Sequence, residues 1–504
     1  MKKNIIVLVI SVLLISIAAS AQKITYSDPE REDLRNMGFD IIGKMNGNIV
    51  IYKNNRDLHS ICIYDPAMKL VNKVRMTFLT DRIFKPDFIQ YPDFFYMIYQ
   101  FQKRNVVYCM AAKLNADGKL LSDPIQLDTT EVNLANSNKV YSFLFSEDKQ
   151  KLMLFKINTK SDKVDNVSTL LFDKSLTMLH KSRIVIPMPD RNDFLANFQL
   201  DNDGDIAFLK EWGGAQNDNI SKLLLMTKSA MADEIKVIDL NISGFYLDDI
   251  RLKVDNFNRH YLVTSFFAKQ RRGNVDGLYL YLWDKDNQKD IFVKNVPFTD
   301  EFRTDARSGG SSLKTAFNDF FLRNIIMKKD GGFFLVAEAM YSSTRGNTLS
   351  RWDYLSGSPV WTPSDYYLYN SPFYFPGSRY GMYDVTRYFA ENIAAISFDM
   401  KGKMEWSNVI AKSQYDDNSD RFLGYALVNM GDQIHFLFNM QEKRQTIFDD
   451  QSLSIDGQLL RNPTFKNLDK GYDFMPRQAK QVGARMIIVP CEYHNYVCFA
   501  KVEL

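Results

Sequence analysis

The feature that most restricts this chain is a short pattern that recurs along it. A strand-like run ends in a large apolar or aromatic residue, an acidic or amide residue opens a turn, and a second strand-like run follows. The pattern occurs at Tyr64-Asp65, Leu114-Asn115, Phe172-Asp173, Trp283-Asp284, Phe398-Asp399 and Ile455-Asp456. Its spacings lie near one or two multiples of roughly 55 residues, and self-similarity at such a period marks a chain built from repeated supersecondary units. A unit of that length holds four strands and their turns. One such unit cannot bury both faces alone, and a ring of four-stranded blades, a β-propeller, buries all of them.

Turn chemistry divides each unit into an inner and an outer hairpin. Asn46-Gly47 and Asp65-Pro66 serve the first unit, Asn115-Ala116-Asp117-Gly118 the second, Asp203-Gly204 the fourth, and Asn256-Phe257-Asn258 with Asp284-Lys285-Asp286 the fifth. The third runs from Tyr141 to Met188. Asp330-Gly331-Gly332 and Lys401-Gly402 mark the sixth, and Asp456-Gly457 marks the seventh. After these the chain offers only three further strands, around 474–480, 485–492 and 496–503. The segment Lys23 to Ser27 is placed to supply the missing fourth strand, and such closure removes the exposed edges that invite aggregation. The expected fold is all-β: a single closed propeller of eight four-stranded blades, completed by the N-terminal strand. Seven blades is the alternative if the fourth or seventh unit is misread. The 37 Phe and 26 Tyr suit pleated, half-buried surfaces.

The ends bound the location. Lys2 and Lys3, the apolar run Ile5 to Ala18, and Ala19-Ser20-Ala21 have the layout of a secretory signal, so residues 1–21 are expected to be removed and 22–504 to form the propeller. Gln22 is not the cysteine a lipid anchor needs, and no later run is apolar enough to span a membrane. The expected destination is the periplasm or the outer-membrane or cell surface. A net charge of +3 from 63 basic and 60 acidic residues carries no clustered basic footprint, so nucleic acid is not an expected partner. If His494-Asn495 is a two-residue hairpin turn, Cys491 and Cys498 face each other at disulfide distance. Cys62 and Cys109 are expected to be small buried apolar residues.

The outer hairpin Phe398-Asp399-Met400-Lys401-Gly402-Lys403-Met404-Glu405-Trp406 resembles those of the secreted β-propeller proteins of Gram-negative bacteria. The resemblance implies a propeller fold and an exported location, and it implies no particular catalytic residues.

One interruption breaks the period. About 50 residues, spanning roughly 341–390, separate the two hairpins of the sixth unit, and loops this long inside compact folds usually carry function. The segment holds Trp352, Tyr354, Trp361, Tyr366, Tyr367, Tyr369, Phe373, Tyr374, Phe375 and Tyr380 among several prolines. Rigid aromatic area with a polar tip suits a protein partner, and equally a sugar ring or a structural cap on the channel.

Signs of catalysis are sparse. The histidines, His59, His180, His260, His435 and His494, are dispersed, and no Cys-x-x-Cys occurs, so no metal or cofactor is expected. Asp201, Asp203, Gly204 and Asp205 resemble part of a calcium loop. Their glycine is misplaced and no closing glutamate follows, so they are expected to form a hairpin turn. Ser311-Ser312-Leu313-Lys314 has Ser-x-x-Lys spacing without its companion motifs. Acids brought together at a propeller axis could form a glycosidase pair that sequence does not identify. The expected function is therefore a non-catalytic protein-interaction or scaffold component of an envelope or secretion-associated complex. A carbohydrate-binding or carbohydrate-active propeller is the alternative, and a small ligand in the channel is a third reading.

Overall fold

The computed structural model describes the chain except for residues 1–22, 34–36, 80–81, 133–138, 162, 191–192, 213–218, 310–312, 345–346, 350–385, 418, 443–444, 463–464 and 466–470. Residues 37–75, 87–131, 142–187, 193–239, 246–297, 320–410 and 426–461 form seven blades, each an antiparallel sheet whose strands follow one another in chain order. The eighth blade is composite. Its central strands, Met486–Tyr493 and Tyr496–Glu503, are joined by His494-Asn495, and Lys23–Tyr26 pairs with the second of them, from Lys23 against Glu503 to Tyr26 against Ala500. The innermost position is shared by Tyr472–Phe474 and Lys480–Gly483, separated by the 3-10 turn Pro476–Gln478. The N-terminal strand thus closes an eight-bladed ring, as the shortage of C-terminal strands required.

A second N-terminal piece, Glu30–Asp33, also pairs with Tyr496–Glu503 and carries the closure on to the first blade. The Tyr64 hydroxyl donates to Glu30 Oε1 at 2.7 Å, and the buried Lys53 ammonium bonds both Glu30 and Tyr64. The chain's first described residues therefore bridge the last blade and the first. Among the described residues no helix is long and apolar enough to cross a membrane.

Within a blade, the first strand lies nearest the axis, where it touches the first strands of its neighbours. The fourth faces solvent, as in Leu70–Arg75 and Lys289–Pro297, whereas the third is enclosed: in Gly277–Asp284 only the last residue is not buried. The Tyr, Leu and Trp side chains of that strand alternate between the two blade interfaces, so a continuous apolar run is required where both faces are covered. Each of the eight interfaces has its own apolar cluster. Ile61, Phe95 and Leu114 join blades one and two, Leu209, Tyr281 and Trp283 join four and five, and Ile51, Tyr64 and Phe499 join eight and one. Each large side chain so buried contributes about 1.5–3 kcal/mol.

The recurring turn has a definite mechanism. Asn115 Oδ1 accepts the backbone N–H groups of Asp117 and Lys119, and Asp173 and Asp399 each accept from residues two and four further on. In the seventh blade the sequence pattern misplaces this opening residue by two positions. Ser454, not Asp456, opens the turn, its hydroxyl accepting from Gln458 N at 3.1 Å, because any short side-chain oxygen can do the same work. These outer turns also latch onto the preceding blade. Trp406 Nε1 donates to the Ile455 carbonyl and Asn408 Nδ2 to that of Gly457, both at 2.9 Å.

Strand alternation places the first-to-second and third-to-fourth turns at one end of the ring, the turn face. The second-to-third turns and the links between blades lie at the opposite end, the connection face.

Candidate functional site

The ten aromatic residues from Trp352 to Tyr380 singled out in the sequence lie outside the described residues. The structure does describe the strands that carry them, Phe333–Thr344 and Thr386–Phe398, and these rise from the connection face of blade six. They pair as ordinary blade strands from Phe333 against Phe398 to Glu338 against Ile393, and a register shift between Glu338 and Met340 marks their departure. Beyond it they continue as an arm. Asn347–Leu349 adds to one edge, along Ser342–Thr344, and Gln414–Asp417 adds to the other, along Arg387–Ala390. The paired strand after the insertion thus begins at Thr386, earlier than the Ile393 expected from sequence.

The arm has two unlike faces. Inward, Met340, Tyr388 and Ala390 pack with Phe321 and Leu423 in a small core of their own. On the other face, Tyr341, which packs partly against the core between blades five and six, and Phe389 stack with ring centroids 4.6 Å apart and planes 12° from parallel, and the exposed Tyr415 extends the row at 6.4 Å from Phe389. The Arg387 guanidinium lies 4.6 Å over the Tyr415 ring and holds Asp417 through two bonds of 2.8 and 3.0 Å. Tyr415 is 48% exposed. Sequence reading missed Tyr415, Arg387 and Asp417, since Gln414–Asp417 belongs to the link after blade six and is too short to show a period. The only local signal was an exposed-looking tyrosine beside two acids.

A buried polar scaffold fixes the arm to the ring. Glu338 and Lys412 are both fully enclosed, with Nζ 3.0 Å from Oε1, and Arg323 Nε lies 3.5 Å from Oε2. Lys412 Nζ also donates to the Ala390 carbonyl and to Gln414 Oε1, each at 2.8 Å. Burial lowers the Lys412 pKa, and the Glu338 carboxylate opposes that shift. Gln414 reaches the Asn439 carbonyl at 2.7 Å, and Asn439 Nδ2 donates to the carbonyls of Phe422 and Phe474. Lys412 and Gln414 therefore tie the arm and its returning link to blades seven and eight. Tyr341 is held from below, its hydroxyl 2.9 Å from Glu391 Oε1.

On the turn face, Asp201, Asp203 and Asp205 form the hairpin turn expected of them, with Asp201 Oδ1 accepting from Asp203 N and Asp205 N. Their carboxylates converge within 4.8 Å of one another, the only such His/Cys/Asp/Glu cluster among the described residues. A side-chain ammonium occupies the centre. Lys285 Nζ, from the outer turn of blade five, lies 2.5, 2.6 and 2.9 Å from the three acids. Burial alone would lower the lysine pKa, and the three acceptors outweigh it and raise it. Arg259 bridges Asp203 to Asp286, each at 2.7 Å.

The remaining candidates stay apart. His435 pairs with Asp450 at 2.9 Å within blade seven, His59 with Tyr52 at 2.7 Å in blade one, and His180 with Asp233 at 3.0 Å. Ser311 lies outside the described residues, and Lys314 is exposed. All four cysteines are buried free thiols; Cys62 and Cys109 lie in separate blades, whereas Cys491 and Cys498 are opposed in register.

No family model and no curated protein matches the chain. Solved structures with related architecture are distant. The chain aligns with prolyl oligopeptidase B from Galerina marginata at 9% identity and a TM-score of 0.42, over 91% of this chain and 56% of that one. An ulvan-type polysaccharide lyase aligns at 10% identity and 0.36, over 84% and 94%. An apocarotenoid oxygenase of Synechocystis aligns at 8% identity and 0.35, over 78% and 76%.

Proposed function

We propose that this protein is a non-catalytic exported propeller that docks another envelope or secreted protein, as a component of a secretion or surface-assembly complex. Docking occurs through the arm of blade six and the aromatic segment the arm carries. The observation that carries this reading is the half-buried row Tyr341 and Phe389 ending in the exposed Tyr415, edged by the exposed Arg387–Asp417 pair. Aromatic and arginine side chains supply most hot-spot energy at protein interfaces, above all when their rotamers are held in advance. Here the holding is done by Glu391 beneath Tyr341 and by Asp417 on Arg387. The enclosed Glu338 and the Asp201 turn are paired within the fold, by Lys412 and by Lys285. The signal-like residues 1–21 support export.

The test is affinity isolation of the full chain from envelope extracts of its native cell. A stoichiometric partner should be retained by the parent protein and lost both on deletion of residues 350–379 and in the Tyr415→Ala/Arg387→Ala double variant, with unchanged thermal unfolding of the ring. Retention of the partner by the deletion variant would overturn the reading. A second reading, carbohydrate binding on the same face, draws on the aligned rings, which suit the apolar side of a sugar. Binding to a panel of envelope polysaccharides that is lost in the double variant, without any protein partner, would favour it.

A further inference from the structure

The closing blade contains two thiols for which the docking surface has no use. Cys491 and Cys498 are directly opposed on Met486–Tyr493 and Tyr496–Glu503. The turn between them dictates that register: His494 and Asn495 have φ of 48° and 67°, the left-handed pair of a two-residue turn whose twist matches paired strands. Directly opposed residues of antiparallel strands have Cα atoms about 4.5–5.5 Å apart, inside the roughly 4.4–6.8 Å that a disulfide spans. The Sγ atoms are 2.9 Å apart, closer than two sulfurs that merely touch, and both residues are fully buried. The register thus holds the two thiols within the span that a disulfide tolerates.

We propose that Cys491 and Cys498 are joined as a disulfide while the C-terminal hairpin is still open to solvent, and that the bond fixes the strand pair onto which Lys23–Tyr26 then docks. The thiolate of one cysteine attacks a disulfide carrier, forming a mixed disulfide and releasing one carrier thiol. The second cysteine attacks the protein sulfur of that mixed disulfide and expels the other carrier thiol. Two electrons and two protons leave the protein, and the carrier disulfide becomes a dithiol.

The order of events follows from burial. In the closed ring neither sulfur meets solvent, so a disulfide carrier has no access to either, and burial together with the neighbouring thiol holds the Cys491 pKa well above its ordinary value, which disfavours its thiolate. Before closure the pair lies within one short hairpin, which forms in about 1–10 μs without the rest of the ring. Strand Tyr496–Glu503 is also the one that accepts Lys23–Tyr26, so its pairing must be set before the N-terminal strand finds its register. Cys62 and Cys109, enclosed in the clusters between blades eight and one and between blades two and three, serve as internal controls that remain thiols. In the cell the proposal rests on export to an oxidising compartment, whereas the test in vitro supplies its own oxidant.

The chain from Gln22 to Leu504 is unfolded, reduced and refolded in oxidised and reduced glutathione, then denatured and treated with a maleimide. Two alkylated cysteines, Cys62 and Cys109, and one linked peptide pair containing Cys491 and Cys498 are expected. Four alkylated cysteines would overturn the bond. The same count on protein trapped with maleimide in exporting cells tests export separately: four thiols there, after two in vitro, would overturn oxidation in the cell and leave the chemistry standing. For the docking step, the yield of protease-resistant ring is compared between wild type refolded with the carrier and wild type refolded in excess reductant. A yield at least threefold lower in reductant is expected, and equal yields would overturn the role in closure. The Cys491→Ser/Cys498→Ser variant should match the reduced protein and be indifferent to carrier, and a carrier-dependent yield in that variant would assign the effect to another thiol.

Discussion

Substituting Glu211 by glutamine probes the charges enclosed between blades four and five. Glu211 sits near the end of the second strand of blade four, Ile206–Trp212, and is 4% exposed. Asn197 Nδ2 lies 3.5 Å from its Oε1, and the nearby charges are Arg251 and Asp249, themselves paired at 2.9 Å. Burial drives the Glu211 pKa from 4.5 up to about 8, with Asn197 and Arg251 restraining the rise and Asp249 adding to it. The native protein therefore holds this proton at pH values where the unfolded chain has released it. Stability linked to Glu211 is present in full below pH 4.5 and declines as pH rises through the folded value near 8. At about 1.4 kcal/mol per pH unit, the loss is about 3 kcal/mol by pH 7. Asp203, held low by its Lys285 hydrogen bond, slopes the other way, but it does so in both proteins and cancels in their difference. Urea unfolding of Glu211→Gln and the parent at closely spaced pH values should give a stability difference that is flat at acid pH. It should then climb in favour of the glutamine variant by about 1.4 kcal/mol per unit and level off near pH 8. A difference independent of pH would show a hydrated or fully paired carboxylate and refute the reasoning.

Three further substitutions test the fold. Lys285→Met leaves the carboxylates of Asp201, Asp203 and Asp205 facing one another and should cost about 3 kcal/mol in chemical unfolding, with part recovered when Asp203→Asn is added; no loss would mean that the lysine does not neutralise the turn. Glu30→Gln removes the carboxylate from a Lys53 side chain that is only 2% exposed. A loss of about 2–3 kcal/mol is expected, together with faster amide exchange in Lys23–Tyr26, and slow exchange there would separate this clasp from ring closure. Gly457→Ala places a methyl 2.4 Å from the Trp406 ring at a φ of 79°, whereas Gly47→Ala meets nothing within 4 Å at a φ of 84°. The strain common to both is about 1 kcal/mol, so a loss at least twice as large at Gly457, read from unfolding midpoints, isolates the latch between blades.

Much of the ring was legible because its turns are local chemistry. Asn46-Gly47, the acid-opened outer turns and His494-Asn495 all announce themselves in sequence, and counting strands between them left one strand missing at the C-terminus and one spare at the N-terminus. Ser454 escaped because a hydroxyl performs the task that the pattern assigned to an acid. The links between elements were not legible. Nothing near Asp201 indicates that Lys285, in the next blade, fills the space between its carboxylates, and nothing near Lys412 indicates that it reaches Glu338 inside the ring. Glu211 reads as the polar end of a strand. It is enclosed, and the register shift between Ala196 and Gln199 on the innermost strand holds the residue that reaches it, Asn197. The arm was visible as an interruption, but the partner strand that widens it comes from residues that sequence assigned to a plain connection.

The pairing of Lys23–Tyr26 with Tyr496–Glu503 also changes how the protein should come apart. In an open row of repeats the terminal units have one neighbour each, and they fray first while the middle stays folded. Here every blade has two neighbours, and the first described strand, Lys23–Tyr26, is paired in the same sheet as Tyr496–Glu503. Any blade that unfolds must break two apolar interfaces at once, and the arrangement supplies no naturally weak terminal unit from which unfolding can spread. Loss of structure should therefore begin with release of a four-residue strand and then involve the whole ring cooperatively.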